Sequence, residues 1–216
     1  MNIVVIDYGM GNVRSAAQAL IKVAPTANVM ISSDAAVIDT ADRVVFPGQG
    51  AMPDCMSEMR SSGLEQAVRR AAARKPFLGI CVGMQMLFEF SEEARPPAFS
   101  TAGLGLFKGA VKRFPAALMV DAQGQKLKVP HMGWNQVQQD SAHPLWQGIA
   151  SGARFYFVHS FYPEPAHPAE STGSADYPFR FTCAVARDNL FGVQFHPEKS
   201  HDTGLTLFAN FVAWQP

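Results

Sequence analysis

Apolar and polar positions along the chain trade off in a regular way at its start. Ile3–Asp7 is a short β-branched run that closes at Gly9-Met10-Gly11, and from Asn12 to Val23 the apolar residues recur at helical spacing. Asn28–Ile31 and Arg43–Phe46 repeat the buried-strand texture, and between them Ser33 or Asp34 is placed to cap a short helix through Ile38. After Pro47-Gly48-Gln49-Gly50 the pattern is helical over Met52–Arg60 and Gly63–Lys75. Pro76 stops it, and Phe77–Ile80 forms another apolar strand. Such alternation predicts parallel strands joined by crossover helices.

Past Arg95-Pro96-Pro97 the texture changes to short strands, at Ala110–Phe114, Lys126–Val129, Arg154–Val158, Phe181–Arg187 and Leu190–Phe195. Asp188-Asn189 is a two-residue hairpin turn between the last two. Pro163 to Pro178 reads as a surface loop, and Leu205, Phe208, Phe211 and Val212 make the apolar stripe of a closing helix. The expected fold is α/β: an open, mostly parallel sheet flanked by helices, with an antiparallel extension. At 216 residues, 48% of them hydrophobic, residues 1–216 fit one globular domain.

Charge removes several classes of partner. The 18 basic and 18 acidic side chains cancel, so no net field draws nucleic acid or an anionic membrane. Asp7 interrupts the first apolar run well short of a signal-peptide core, and no segment has the length of a spanning helix. Cys55, Cys81 and Cys183 are odd in number and widely spaced, against a disulfide framework or structural zinc site. A reducing cytoplasm is the expected setting.

Gly79-Ile80-Cys81-Val82-Gly83 falls where an apolar strand meets a helix. It is the Gly-x-nucleophile-x-Gly pattern with cysteine at its centre. A tight strand-to-helix turn crowds neighbouring backbone, which the two glycines relieve, and the Val82 amide at the helix start can bind an oxyanion. Cys55, among Met52, Met56 and Met59, and Cys183, inside an apolar strand, read as small core residues instead.

A cysteine nucleophile needs an imidazole oriented by a third group. Of six histidines, His196 ends an apolar strand in His196-Pro197-Glu198, where an extended backbone puts positions i and i+2 on one side. Pro197 keeps the pair extended, so Glu198 reaches the ring. Taken alone, the pair also suits a surface ion pair; together with the cysteine elbow it suits a triad. His159 ends another strand without a nearby carboxylate and reads as a packed or site-lining residue. His131 sits in what reads as an exposed aromatic-bearing turn, and His143, His167 and His201 read as solvent-facing.

Pro47-Gly48-Gln49-Gly50 ends its strand at the sheet edge where ligands collect in α/β folds, and its glycines allow an amide of this segment to serve as a second oxyanion donor. Gln85, four residues after Cys81, lies on the same helical face and can contact a polar substrate. Gly9-Met10-Gly11 has Arg14 where a dinucleotide fingerprint needs its third glycine, and no cofactor or metal is expected. These residues describe a cysteine amidase with an open substrate.

GICVGMQ, PGQG and FHPEKS resemble the class I glutamine amidotransferases. DYGMGN, PGQGAM, PHMGWN and FVHS, in that order, resemble one branch of them, the glutaminase subunits of imidazole glycerol phosphate synthases in histidine biosynthesis. The likeness runs from Asp7 to Lys199. It implies Cys81, His196 and Glu198 as the triad, with Gly48, Gln49 and Val82 at the oxyanion. It also implies L-glutamine held by Gly50, Gln85, His159, Ser160 and Phe161. Pro130, His131, Met132, Gly133, Trp134, Asn135, Tyr156 and Lys199 would then face a (β/α)8-barrel cyclase, in a heterodimer that receives the ammonia. Val82 stands where the family commonly has leucine, and Phe161 where tyrosine is frequent, which leaves that hydroxyl without a role here.

Overall fold

The computed structural model describes residues 1–121 and 123–216. Its first half follows the alternating pattern closely. Strand β1 (Asn2–Ile6) leads to helix α1 (Val13–Val23), β2 (Asn28–Ser32), α2 (Ala35–Thr40) and β3 (Arg43–Gly48). The Asp34 carboxylate caps α2 by accepting from the Ala36 amide at 2.8 Å. Helices α3 (Met52–Ser61) and α4 (Glu65–Ala72) then precede β4 (Phe77–Cys81). Ile3 to Ile6, Arg43 to Gly48 and Phe77 to Cys81 are buried throughout, as strands covered by helices on both faces must be.

After β4 the helix α5 (Val82–Gln85) is a single turn, followed by β5 (Phe88–Ser91), β6 (Thr101–Ala102) and β7 (Phe107–Arg113). Then come β8 (His131–Gln139), β9 (Ala153–His159), β10 (Phe161–Pro165), β11 (Ser171–Asp176), β12 (Arg180–Arg187), β13 (Leu190–Val193) and α6 (His201–Ala213). The main sheet has nine strands in the order β2-β1-β3-β4-β13-β12-β11-β8-β9, and a second sheet runs β10-β7-β5-β6. Pairing is parallel from β2 to β13 and antiparallel from β13 to β9. The parallel core and its antiparallel extension are thus as the sequence predicts, including the turn at Asp188-Asn189, which joins Arg187 to Leu190.

Four expectations are corrected. Lys126–Val129 is not a strand; Lys126 makes only an isolated bridge to Val120. Pro163 to Pro178 is not a surface loop but holds the end of β10 and all of β11, with Thr172, Gly173, Ser174 and Ala175 buried. Small residues are needed there, because a Cβ on Gly173 would stand 3.1 Å from the Trp146 ring, and the Trp146 indole donates to the Thr172 carbonyl at 3.2 Å. Pro130 to Trp134 is not a turn: His131 opens β8 and points inward, 4% exposed, while Met132 and Trp134 point out. Strand alternation alone produces this division. His143 is half-buried rather than solvent-facing, against Phe191 and Trp214, whereas His167 and His201 are exposed.

Candidate active site

The strand β4 delivers Cys81 to the sheet edge with φ 55° and ψ −116°, a strained conformation for a residue with a side chain. Crowding by backbone explains the flanking glycines. A Cβ on Gly79 would lie 2.9 Å from the Met84 Cα, and one on Gly83 would run into the Phe46 carbonyl. Met84 and Met86 fill the core behind the elbow, fully buried. Val82 starts α5, where the first amides have no carbonyl within the helix to bond.

His196 follows β13, on the far side of β4 from β3, which places it beside the elbow. Its Nδ1 is 2.8 Å from Glu198 Oε1, and both side chains are almost wholly buried. Asn12 Nδ2 donates to the same carboxylate oxygen at 3.1 Å, fixing it from the loop before α1. Burial opposes charging of the imidazole, but the Cys81 sulfur in front of it and Glu198 behind push His196 up to about 10. Its Nε2 has no hydrogen-bond partner among the described residues.

Gly48 pairs with Cys81 across the β3–β4 ladder, and a Cβ there would lie 2.5 Å from the Gly83 nitrogen. The segment beyond it is anchored from below. Tyr8 donates its hydroxyl to the Pro47 carbonyl at 3.0 Å, and the Cys55 thiol donates to the Gln49 carbonyl at 3.3 Å. Cys55 and Cys183 are both fully buried, and burial pushes the Cys55 thiol up to about 11 and Cys183 well above the usual thiol range. Neither is placed as a nucleophile.

A cavity of about 320 Å³ opens in front of Cys81, with Gln49, Gly50, Val82, Gln85, His159, Ser160, Phe161 and His196 on its walls, and Pro130 and Lys199 at the same opening. The separate sequence signals thus converge on one pocket. Gln85 is buried, donating to Gln194 Oε1 at 3.0 Å and to the Phe161 carbonyl at 3.3 Å. Of the expected partner-facing residues, Met132 and Trp134 are exposed on β8, Trp134 stacks on His201 and packs edge-on to Tyr156, and Lys199 Nζ lies 5.9 Å from the Tyr156 ring. Gly133 and Asn135 share the strand, half-buried.

Sequence reasoning missed four contributors. Gln194 is fully buried, with Nε2 3.7 Å from the Cys81 sulfur; a glutamine in an apolar strand two residues before His196 was the available signal. Asn12 and Tyr8 lie in the DYGMGN segment, whose role becomes that of a support for Glu198 and the Pro47 carbonyl. Glu93 lines the cavity half-buried, one oxygen accepting from the Met52 amide at 2.8 Å. Burial raises its pKa, and nothing local in the sequence marks it.

Residues 4–214 match the model of the class-I glutamine amidotransferase family. A protein of Nitrosospira multiformis, named imidazole glycerol phosphate synthase subunit HisH, is 60% identical over 215 residues, covering 100% of this chain and 99% of its own. Its namesake in Dechloromonas aromatica is 60% identical over 214 residues, covering 99% and 97%. Among solved structures, PurLQS from Thermotoga maritima aligns with a TM-score of 0.70 at 18% identity, covering 98% of this chain and 97% of that one. A glutamine amidotransferase aligns at 0.69 and 16%, covering 98% and 99%. The structures establish a shared fold, and the family match with the relatives establishes membership: the chain belongs to the class-I glutamine amidotransferases.

Proposed function

We propose that the chain, as a single domain, is the glutaminase subunit of an imidazole glycerol phosphate synthase in histidine biosynthesis, with Cys81, His196 and Glu198 as its triad. The observation that carries this reading is the strained Cys81 elbow facing a buried His196–Glu198 pair across one cavity. In that arrangement Cys81 attacks the side-chain amide carbon of L-glutamine as the thiolate. The Val82 amide and one from the Gly48–Gln49 segment receive the oxyanion. His196 gives its proton to the departing nitrogen, ammonia leaves, and a γ-glutamyl thioester remains. Water, deprotonated by the same ring, then cleaves the thioester to glutamate, and sulfur leaves as the thiolate beside the reprotonated imidazole.

Glu93 suits the α-ammonium group of the substrate, since it brings a half-buried carboxylate to the cavity wall. Gly50, Gln85 and the His159-Ser160-Phe161 segment complete the pocket. Ammonia released into water would be protonated and lost, so the subunit needs a sealed contact with its acceptor. Met132, Trp134, Tyr156 and Lys199 supply an apolar, cationic face beside the cavity opening for the (β/α)8-barrel cyclase. No helix among the described residues is long and apolar enough to cross a membrane, and three unpaired thiols suit a cytoplasmic setting.

Glutamine hydrolysis measured for the isolated chain and for its complex with the cyclase, with and without the cyclase's ligand, tests the proposal. Weak activity alone and large stimulation in the liganded complex are expected. Full activity without a partner would identify a stand-alone hydrolase instead.

A further inference from the structure

His131 and His159 face each other across the β8–β9 ladder, both buried, and their hydrogen bonds admit one direction only. His159 Nδ1 lies 2.8 Å from the Phe161 carbonyl, which can only accept, so Nδ1 carries the proton. In a neutral ring Nε2 must then accept, and it lies 2.9 Å from His131 Nδ1, which therefore donates. That leaves His131 Nε2 as an acceptor for Asn135 Nδ2 at 3.4 Å. The orientation of the Asn135 amide is fixed twice, because Nδ2 donates to the Asp176 carbonyl at 2.9 Å and Oδ1 accepts from the Gln136 amide at 2.8 Å.

Both rings are kept neutral by their surroundings. His131 stacks on Tyr177 and Phe157, and His159 packs among Phe114, Phe157 and Phe181. Neither ring has a carboxylate within hydrogen-bonding reach among the described residues. Burial pushes His131 down to about 4 and His159 to about 3. At the other end, the Phe161 carbonyl also accepts from Gln85, whose Nε2 donates to Gln194 Oε1, and Gln194 Nε2 reaches Cys81. The series therefore ends on the wall of the cavity and at the sulfur.

We propose that His131 is a positioning residue for glutamine binding: by donating to His159 Nε2 it fixes the proton of that ring on Nδ1, whose bond to the Phe161 carbonyl sets the pocket wall. This rests on the glutaminase reading of the cavity. Packing alone does not account for the histidines, because phenylalanine would fill the same aromatic surroundings without polar atoms to satisfy. The position on β8 adds a consequence. Met132 and Trp134, on the opposite face of that strand, are exposed, so a partner seated on them touches the element that holds the pocket wall.

The test has two parts. In the cyclase complex, His131→Phe keeps the ring stacking and removes the donor, whereas His131→Asn keeps a donor at the same branch of the side chain. His131→Phe should raise KM for glutamine about tenfold, the size expected when one buried acceptor loses its partner, with kcat changed less than about threefold. His131→Asn should recover most of the loss. An unchanged KM in His131→Phe, equal losses in the two variants, or a fall confined to kcat would overturn the proposal. Independently, nitrogen-15 spectra of the wild-type chain should place the His159 proton on Nδ1; a proton on Nε2 overturns it whatever the variants do. Absence of glutamine hydrolysis in the wild-type complex would instead remove the glutaminase reading, leaving the spectra to decide the relay.

Discussion

Cys81 carries a backbone conformation that costs on the order of 1–3 kcal/mol for a residue with a side chain, and it stands beside His196 at the cavity. Of the charges raising the pKa of His196, Cys81 is the largest and Glu198 follows. Ring proton shifts of Cys81→Ala should therefore show the imidazole titrating well below about 10. An unaltered titration would mean that the two groups do not form a pair. Glu93→Gln should raise KM for glutamine about tenfold with little change in kcat, since it removes charge complementarity at the wall and not at the reacting carbon. The proposed triad was legible in sequence because its parts are local: a Gly-x-Cys-x-Gly turn and a His-Pro-Glu step. Gln194 and Glu93 were not, because only the folded chain brings β13 and the segment after β5 to the same cavity.

At the level of elements, the elbow depends on how closely β3, β4 and α5 approach. A Cβ on Gly83 would meet the Phe46 carbonyl, so Gly83→Ala should destabilise the fold by about 1–3 kcal/mol, measured by urea unfolding, and impair hydrolysis as well. The central parallel strands were readable because each carries a continuous apolar run, Ile3–Ile6, Val44–Phe46 and Phe77–Ile80. Strand β11 was not, since Ser171-Thr172-Gly173-Ser174 has the composition of a loop and is buried by the Trp146 ring and paired strands. Strand β8 misled for the opposite reason: Pro130 and Gly133 suggest a turn, while pairing from His131 to Val137 with β9 holds it extended. Its outward residues form the proposed contact. Trp134→Ala should weaken binding of the cyclase by about 2 kcal/mol, roughly thirtyfold, with unchanged unfolding of the isolated chain.

Across the whole molecule, histidines held away from water contribute to the response to acid. His131, His143 and His159 have folded pKa values pushed down by burial to about 4, 4 and 3. The unfolded chain takes up protons from its ordinary histidine pKa of about 6.5 downward while the folded chain refuses them. Their contribution is thus complete above about pH 6.5 and is lost as pH falls toward 4. His196 has the opposite sign: its contribution is present below about 6.5 and is lost as pH rises through about 10. His143, outside the cavity, isolates the acid effect. His143→Asn retains an acceptor for the Leu145 amide and removes the titrating ring, so the urea midpoint should fall less steeply between pH 6.5 and 4 than in the wild type. Parallel curves would contradict the burial argument.

The proposed hydrolysis passes through a γ-glutamyl thioester on Cys81. Mass spectrometry of the cyclase complex after treatment with a glutamine-derived electrophile tests it most directly. One adduct on the peptide containing Cys81, absent in Cys81→Ala and retained in Cys55→Ala and Cys183→Ala, is the predicted result. An adduct on Cys55 or Cys183, or a wild-type complex that hydrolyses glutamine without labelling at Cys81, would contradict it.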